Sequence, residues 1–245
     1  RPTTDQAKEA LDVVKLAHKE LGEAKLDANL IIGNNTGPNN GCNGKELIYD
    51  KKILAAKTKA LFCITTENLS KILPNKCHVI IVDNVLISTA MITNIFYPNA
   101  ITDDFDINMR EIEKTSFKKI VKFGKNVFLG KNVKIGKNCL IGHNTIIESN
   151  VEIGNNCSIG SNVIIRNTII KNDVHVLDGC IIGKKGFGFF PKHEKNIRYP
   201  HIGMVIINDK VEIGCGATID RGSMSNTIIG TNTYLDNQIH IAHNN

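Results

Sequence analysis

A chain of 245 residues, 42% of them hydrophobic, is long enough for one extended domain with a smaller one attached, and it holds no run of about 18 apolar residues that would cross a membrane as a helix. The net charge of +6 is spread along the chain and only 5% of residues are aromatic, which argues against a nucleic-acid partner and for an acidic protein or phosphorylated ligands. The cysteines (Cys42, Cys63, Cys77, Cys139, Cys157, Cys180 and Cys215) fit no zinc spacing, and no signal-like apolar core succeeds Arg1, so the expected compartment is a reducing cytoplasm.

In chain order, residues 4–21 form one amphipathic helix: Ala7, Leu11, Val14, Ala17 and Leu21 share a face, Thr4 caps it and Gly22 stops it. The Asn/Gly-rich stretch from Asn34 to Gly44 is a loop. Short buried strands are expected over 60–64 and 79–82, around a helix near 67–73, with a further helix near 86–96 before Tyr97-Pro98. Residues 1–98 thus make a small α/β module, of which 1–50 and 56–98 differ in character, and residues 99–116 link it to the remainder of the chain.

From residue 117 to 245 an apolar residue returns at every sixth position: Leu129, Ile135, Ile141, Ile147, Ile153, Ile159, Ile165. Four places after each of the first six stands a second, usually small residue: Val133, Cys139, Thr145, Val151, Cys157, Val163. An α-helix would repeat at three and four, and a flat strand at two. A strict six-residue period means stacked rungs of three sides, the fold class being mostly β, a parallel β-helix with Gly or Asn turning each corner. The period slips between Ile165 and Ile170. It is lost from Gly183 to His201, returns at Ile207, Ile213 and Ile219, and breaks again before Ile229, Leu235 and Ile241. Such interruptions are loops leaving one face, and loops of this kind often carry the binding surface.

The densest polar cluster runs from Leu235 to Asn244. Asp236, His240 and His243 fall outside the core phase there, and a histidine at a rung edge suits general-base chemistry because it titrates near neutrality. His240 and His243 are three apart, on different sides of a corner, so they do not converge on zinc; no metal and no cofactor are expected. His143, His175, His193 and His201 are scattered and incidental on this reading. Gly186 and Gly188 free the backbone of a loop whose Phe187 and Phe189 either meet an acyl chain or pack on the prism. Asp220 and Arg221 form an ion pair of structural or functional meaning.

The string Gly-x-x-Gly-Phe-Gly-Phe, then His201-Ile-Gly, Val211-Glu-Ile-Gly, Thr218-Ile-Asp-Arg-Gly and Asp236-Asn-Gln-x-x-Ile-Ala-His-Asn244, resembles the UDP-3-O-(3-hydroxyacyl)glucosamine N-acyltransferases of lipid A biosynthesis, hence of outer membrane biogenesis. The resemblance implies a left-handed β-helix and a cytoplasmic homotrimer with sites between neighbouring prisms. It also implies transfer of a 3-hydroxyacyl chain from acyl carrier protein to the 2-amine of a UDP-glucosamine derivative. His243 matches the family's catalytic base. Asp236, Asn237, Gln238, His240 and Asn244 match supporting or substrate-binding positions, and Phe187 and Phe189 border the acyl or nucleotide site. Tyr49 alone stands near the family's uridine-stacking pattern. Family members continue for further rungs past the His243 position, so the resemblance implies a chain cut short, inactive as it stands and prone to associate. Two rival readings are an O-acyltransferase acting on UDP-N-acetylglucosamine, which shares a His-Ile-Ala-His segment, and a non-catalytic β-helix scaffold.

Overall fold

The computed structural model describes residues 30–32, 55–57, 62–102, 104–111, 117, 120–191 and 193–245. The helix expected over 4–21, the loop over 34–44 and Tyr49 lie outside the described residues. The chain divides into two units, 1–96 and 97–245.

In the first unit a parallel sheet has the strand order Leu30–Ile32, Phe62–Thr65, His78–Ile81. The strands expected over 60–64 and 79–82 are thus present, displaced by a residue or two. The helix Glu67–Ser70 stops sooner than its pattern suggests, because Pro74 biases the residue before it away from helical angles. The helix Val85–Phe96 is capped by Asn84, whose Oδ1 accepts the Ile87 N–H at 3.0 Å. Ile64, Val85 and Ile92 are buried together, with Ile80, Val82 and Phe96 packed against them.

The second unit contains three parallel sheets that wind as a prism, the parallel β-helix of hexapeptide repeats that the period of six calls for. The first face stacks Phe128–Leu129, Ile146–Ile147, Ile164–Ile165, Ile181–Lys185, Thr218–Arg221 and His240–Ile241. The second stacks Lys134–Ile135, Glu152–Ile153, Thr168–Ile170, Val205–Ile207 and Thr227–Ile229. The third stacks Val121–Phe123, Cys139–Ile141, Ser158–Ile159, His175–Val176, Glu212–Ile213 and Tyr234–Leu235. Arg110–Glu111 pairs antiparallel with Phe128–Leu129 at the start of the first face.

The sixth-position aliphatics point inward and stack in register, Leu129 on Ile147 on Ile165 on Ile182 on Ile219. All are buried, and each contributes roughly 1.5–3 kcal/mol of apolar transfer free energy. The small positions are buried too, and their polar atoms are satisfied by carbonyls one rung on. Thr145 Oγ1 donates to Gly160 O at 2.7 Å, and the Cys139 and Cys157 thiols donate to Gly154 O and Lys171 O, each at 3.1 Å.

The corners are turned by asparagine and glycine, as expected. Asparagine most often takes the left-handed conformation: Asn126, Asn132, Asn138, Asn144, Asn150, Asn156 and Asn162 all have φ between 54° and 65°, and Gly179 and Gly216 take it at φ 74° and 68°. The asparagine side chains form ladders between rungs, such as Asn126 Nδ2 to Asn144 Oδ1 at 3.1 Å and Asn144 Nδ2 to Asn162 Oδ1 at 3.3 Å. The repeat glycines serve close approach instead. A Cβ on Gly130 would lie 2.2 Å from the Ser149 backbone nitrogen, which no rung spacing tolerates.

Ile153→Asp places an unpaired carboxylate in this stack and is expected to abolish soluble, cooperatively folded protein. Lys137→Asp, at an exposed corner, should shift stability by no more than about 0.5 kcal/mol. Expression and denaturant melts of the two variants check this. A folded Ile153→Asp protein would refute the inward phase.

Candidate active site

Backbone positions that stack on one another are 18 residues apart at Lys137 and Asn155, 17 at Asn155 and Asn172, 37 at Asn172 and Asp209, and 22 at Cys215 and Asn237. The one tightened rung accounts for the slip after Ile165. The two lengthened rungs are the excursions, and both leave from neighbouring strands of the first face, Ile181–Lys185 and Thr218–Arg221. These pair beyond the core phase, through Lys184 with Asp220 and Lys185 with Arg221, across a bulge. Phe189–Phe190 and Ile197–Arg198 form an antiparallel hairpin within the longer excursion.

His240–Ile241 stacks on Thr218–Ile219, so His243 and Asn244 occupy the corner that Lys131–Asn132 and Ser149–Asn150 fill on lower rungs. Asn244 keeps the left-handed angle of those corner asparagines, φ 63°. Its side chain has other partners. Oδ1 accepts the Ser223 N–H at 2.8 Å and the Ser225 hydroxyl at 3.2 Å, which orients the amide. Nδ2 then donates to Ser223 Oγ at 2.7 Å and to His243 Nδ1 at 3.1 Å. The Asn244 N–H is held by Thr227 Oγ1 at 2.9 Å. By this network neutral His243 keeps its lone pair on Nδ1 and its proton on Nε2.

Against the other side of His243 lies a residue that sequence reasoning set aside. His201 is fully buried, and its ring meets His243 edge-to-face with centroids 4.6 Å apart and planes at 73°. Tyr199 lies on His201 at 6.3 Å, and its carbonyl accepts from His201 Nδ1 at 3.0 Å. Two glycines make room. A Cβ on Gly186 would come within 2.5 Å of His243 Cδ2 and 2.7 Å of His201 Nε2, and one on Gly188 within 3.2 Å of His201 Cε1. Burial pushes His201 down to about 4, helped by the charges of His243, Arg221 and Arg198 and opposed by its bond to the Tyr199 carbonyl.

The remaining candidates lie apart from this pair. His240 points outward on the first face and pairs with Asp220 through Nε2 at 3.2 Å, while Arg221 reaches Ala100 O at 3.4 Å. Asp236, Asn237 and Gln238 fill the corner before His240–Ile241, one side of the prism away from His243. Asp236 Oδ1 accepts the Asn237 N–H at 2.7 Å, Asn237 Oδ1 accepts the Cys215 N–H at 2.7 Å, and the Gln238 N–H donates to Cys215 O at 2.8 Å. Their hydrogen bonds stabilise that corner and do not reach His243. Phe187 and Phe189 meet edge-to-face at 5.5 Å on the long excursion, and the Arg198 guanidinium lies 4.9 Å over Phe187. Phe187 is 73% exposed, an apolar ring open to a ligand. Among the described residues no group of three or more His, Cys, Asp or Glu gathers to hold a metal ion, and no helix is long and apolar enough to cross a membrane. Besides His201, the sequence reading missed Ser223, Ser225 and Thr227. The signal was there in the register: Ile182, Ile219 and Ile241 stack, so the residues just after each of them gather at one corner.

Residues 132–167 match the bacterial transferase hexapeptide family (six repeats). Over 81 residues the chain is 48% identical to UDP-3-O-acylglucosamine N-acyltransferase 1 of Nitrobacter winogradskyi, a match covering 33% of this chain and 22% of that protein. It is 47% identical over 81 residues to the UDP-3-O-acylglucosamine N-acyltransferase of Bradyrhizobium diazoefficiens, covering 33% and 23%. The enzyme of that name from Rhizobium etli is 49% identical over 76 residues, covering 31% and 22%. The stretch in common is thus under a quarter of each relative's length. Among solved structures, the UDP-N-acetylglucosamine O-acyltransferase of Moraxella catarrhalis aligns with 51% of this chain and 45% of its own, at 26% identity and a TM-score of 0.32.

His201 also predicts an acid response. Its folded pKa lies below the unfolded value of about 6.5, so the unfolded chain binds the proton first, and stability is lost as pH falls from about 6.5 through 4. His201→Gln removes this term. The melting temperature of the native chain should therefore fall more steeply than the variant's between pH 6.5 and 4. Parallel curves would show that His201 does not contribute.

Proposed function

We propose that this chain is an N-acyltransferase that moves a 3-hydroxyacyl group from the thioester of acyl carrier protein to the 2-amine of UDP-3-O-(3-hydroxyacyl)glucosamine, a reaction of lipid A biosynthesis in the cytoplasm. The observation that carries it is the imidazole of His243, fixed at a vacated β-helix corner by Asn244 and walled by Gly186 and His201. The match to N-acyltransferases of that name supports the same reading.

In this reading the amine nitrogen attacks the thioester carbonyl carbon and gives its proton to His243 Nδ1, the nitrogen with the lone pair. The Asn244 side-chain N–H that caps Nδ1 yields to the amine. The tetrahedral adduct then collapses with cleavage of the C–S bond, and the imidazolium returns the proton to the leaving thiolate. Phe187 and Phe189 border the acyl chain. Asp236, Asn237 and Gln238, one corner away, serve a neighbouring protomer's site or the sugar nucleotide rather than this imidazole. A homotrimer suits the first face, whose outward residues Phe128, Ile146, Ile164 and Ile181 stack as an apolar stripe.

With 3-hydroxyacyl carrier protein as donor, His243→Ala should lower kcat at least ~100-fold without disturbing assembly, the scale of a lost general base. His240→Ala, whose partner is Asp220, should cost far less. Offering free-amine and free-hydroxyl sugar acceptors in parallel separates N- from O-transfer. Equal losses in both variants, or product only on the hydroxyl acceptor, would overturn the assignment.

A further inference from the structure

His201 Nε2 is a buried polar atom with no hydrogen-bond partner. Because Nδ1 donates to the Tyr199 carbonyl, Nε2 bears the lone pair of the neutral ring, so the unmet group is an acceptor. A buried acceptor is costly to leave unmet, and its neighbour is His243. The absent Gly186 side chain marks the junction: its Cβ would sit 2.7 Å from His201 Nε2 and 2.5 Å from His243 Cδ2, the carbon bonded to that ring's Nε2. The Cγ–Cδ2 edge of His243 therefore adjoins the lone pair of His201, with Nε2 the next atom of the ring.

We infer that His201 is a positioning residue for His243, its Nε2 accepting the Nε2–H of His243 when that ring takes up charge. This rests on reading His243 as the base. Asn244 donates to Nδ1 of the neutral ring and gives way once Nδ1 takes the proton; from His243 onward the polarity runs one way, His243 Nε2–H to His201 and His201 Nδ1–H to the Tyr199 carbonyl. In the resting arrangement the rings are crossed at 73° and the middle bond is unmade. Closing it requires the His243 ring to turn so that its Nε2–H meets that lone pair. His201 itself takes no proton, since burial and the charges of Arg198, Arg221 and His243 oppose a second cation, with Tyr199 the other titratable neighbour. The adjoining strands also carry the His240–Asp220 pair and Lys184 and Lys185, the latter directly before Gly186. His201 thus does for this imidazole what a buried carboxylate does elsewhere, as an uncharged acceptor.

The test monitors the protonation midpoint of His243 by NMR of 15N-histidine-labelled chain, with no substrate present. His201→Phe keeps a buried ring and removes the lone pair, His201→Gln restores an acceptor oxygen, and Gly186→Ala drives a methyl between the rings while leaving both histidines intact. The midpoint should fall by about one pH unit in His201→Phe and in Gly186→Ala, as for loss of a hydrogen bond to a charged form, and stay close to native in His201→Gln. If His201→Phe fails to fold by circular dichroism, Gly186→Ala carries the comparison. An unmoved midpoint in Gly186→Ala or in folded His201→Phe overturns the inference, as does an equal fall in His201→Gln. Turnover is read separately. A native chain without N-acyl transfer but with the midpoint shift removes the proposed function and keeps the His201 role, whereas transfer lost in His243→Ala with an unmoved midpoint does the reverse.

Discussion

Everything in the second unit depends on one constraint: successive rungs stay in register, each backbone N–H bonding the carbonyl of a residue one turn away. The hydrogen bonds between rungs recur on all three faces whatever the rung length, and the corner asparagines of the regular rungs repeat them in their side chains. A stack held this way tolerates no drift, since a slip of one residue would turn the aliphatic interior outward. Extra residues therefore have to leave at a corner and come back to the same register.

That requirement turns a scaffold into a site. The two excursions depart from adjacent strands of one face, so the corner above them lacks the asparagine-to-asparagine ladder of the lower rungs. Asn244 shows the change most directly. It adopts the corner angle that Asn132 and Asn150 adopt, yet its amide, instead of bonding the next asparagine, is turned by Ser223 and Ser225 toward His243. His243 itself stands where Lys131 and Ser149 stand on lower rungs. A position that is a solvated corner elsewhere becomes half-enclosed because the longer excursion lays Gly186 and His201 beside it.

The electrostatics arise from the same packing. His201 is buried and flanked by cationic side chains, which keeps it neutral, and its tautomer is set by a carbonyl two residues back in the chain. His243 stays partly open and meets an amide donor on one nitrogen. Two imidazoles a few ångströms apart are thereby given opposite environments, one buried with an unmet lone pair, the other half-open beside an amide donor.

The period of six in the sequence determined the prism, its inward residues and the places where it is interrupted, because apolar periodicity is a direct record of which side chains leave water. It also marked His243 and Asn244 as polar groups outside the core. What it left undivided was the work at the corners: glycine and asparagine look interchangeable as turn residues, and only the packed backbone shows that asparagine, with Gly179 and Gly216, supplies the positive φ while the glycines after the inward aliphatics make room for the next rung. It also grouped Asp236, Asn237 and Gln238 with His243, since they are close in the chain, although the prism turns a corner between them. Conversely it passed over His201, 42 positions from His243, because the excursion that brings it back is out of phase and periodicity is silent there. Proximity across a loop is decided by where the chain re-enters the stack, and that is settled by tertiary packing alone.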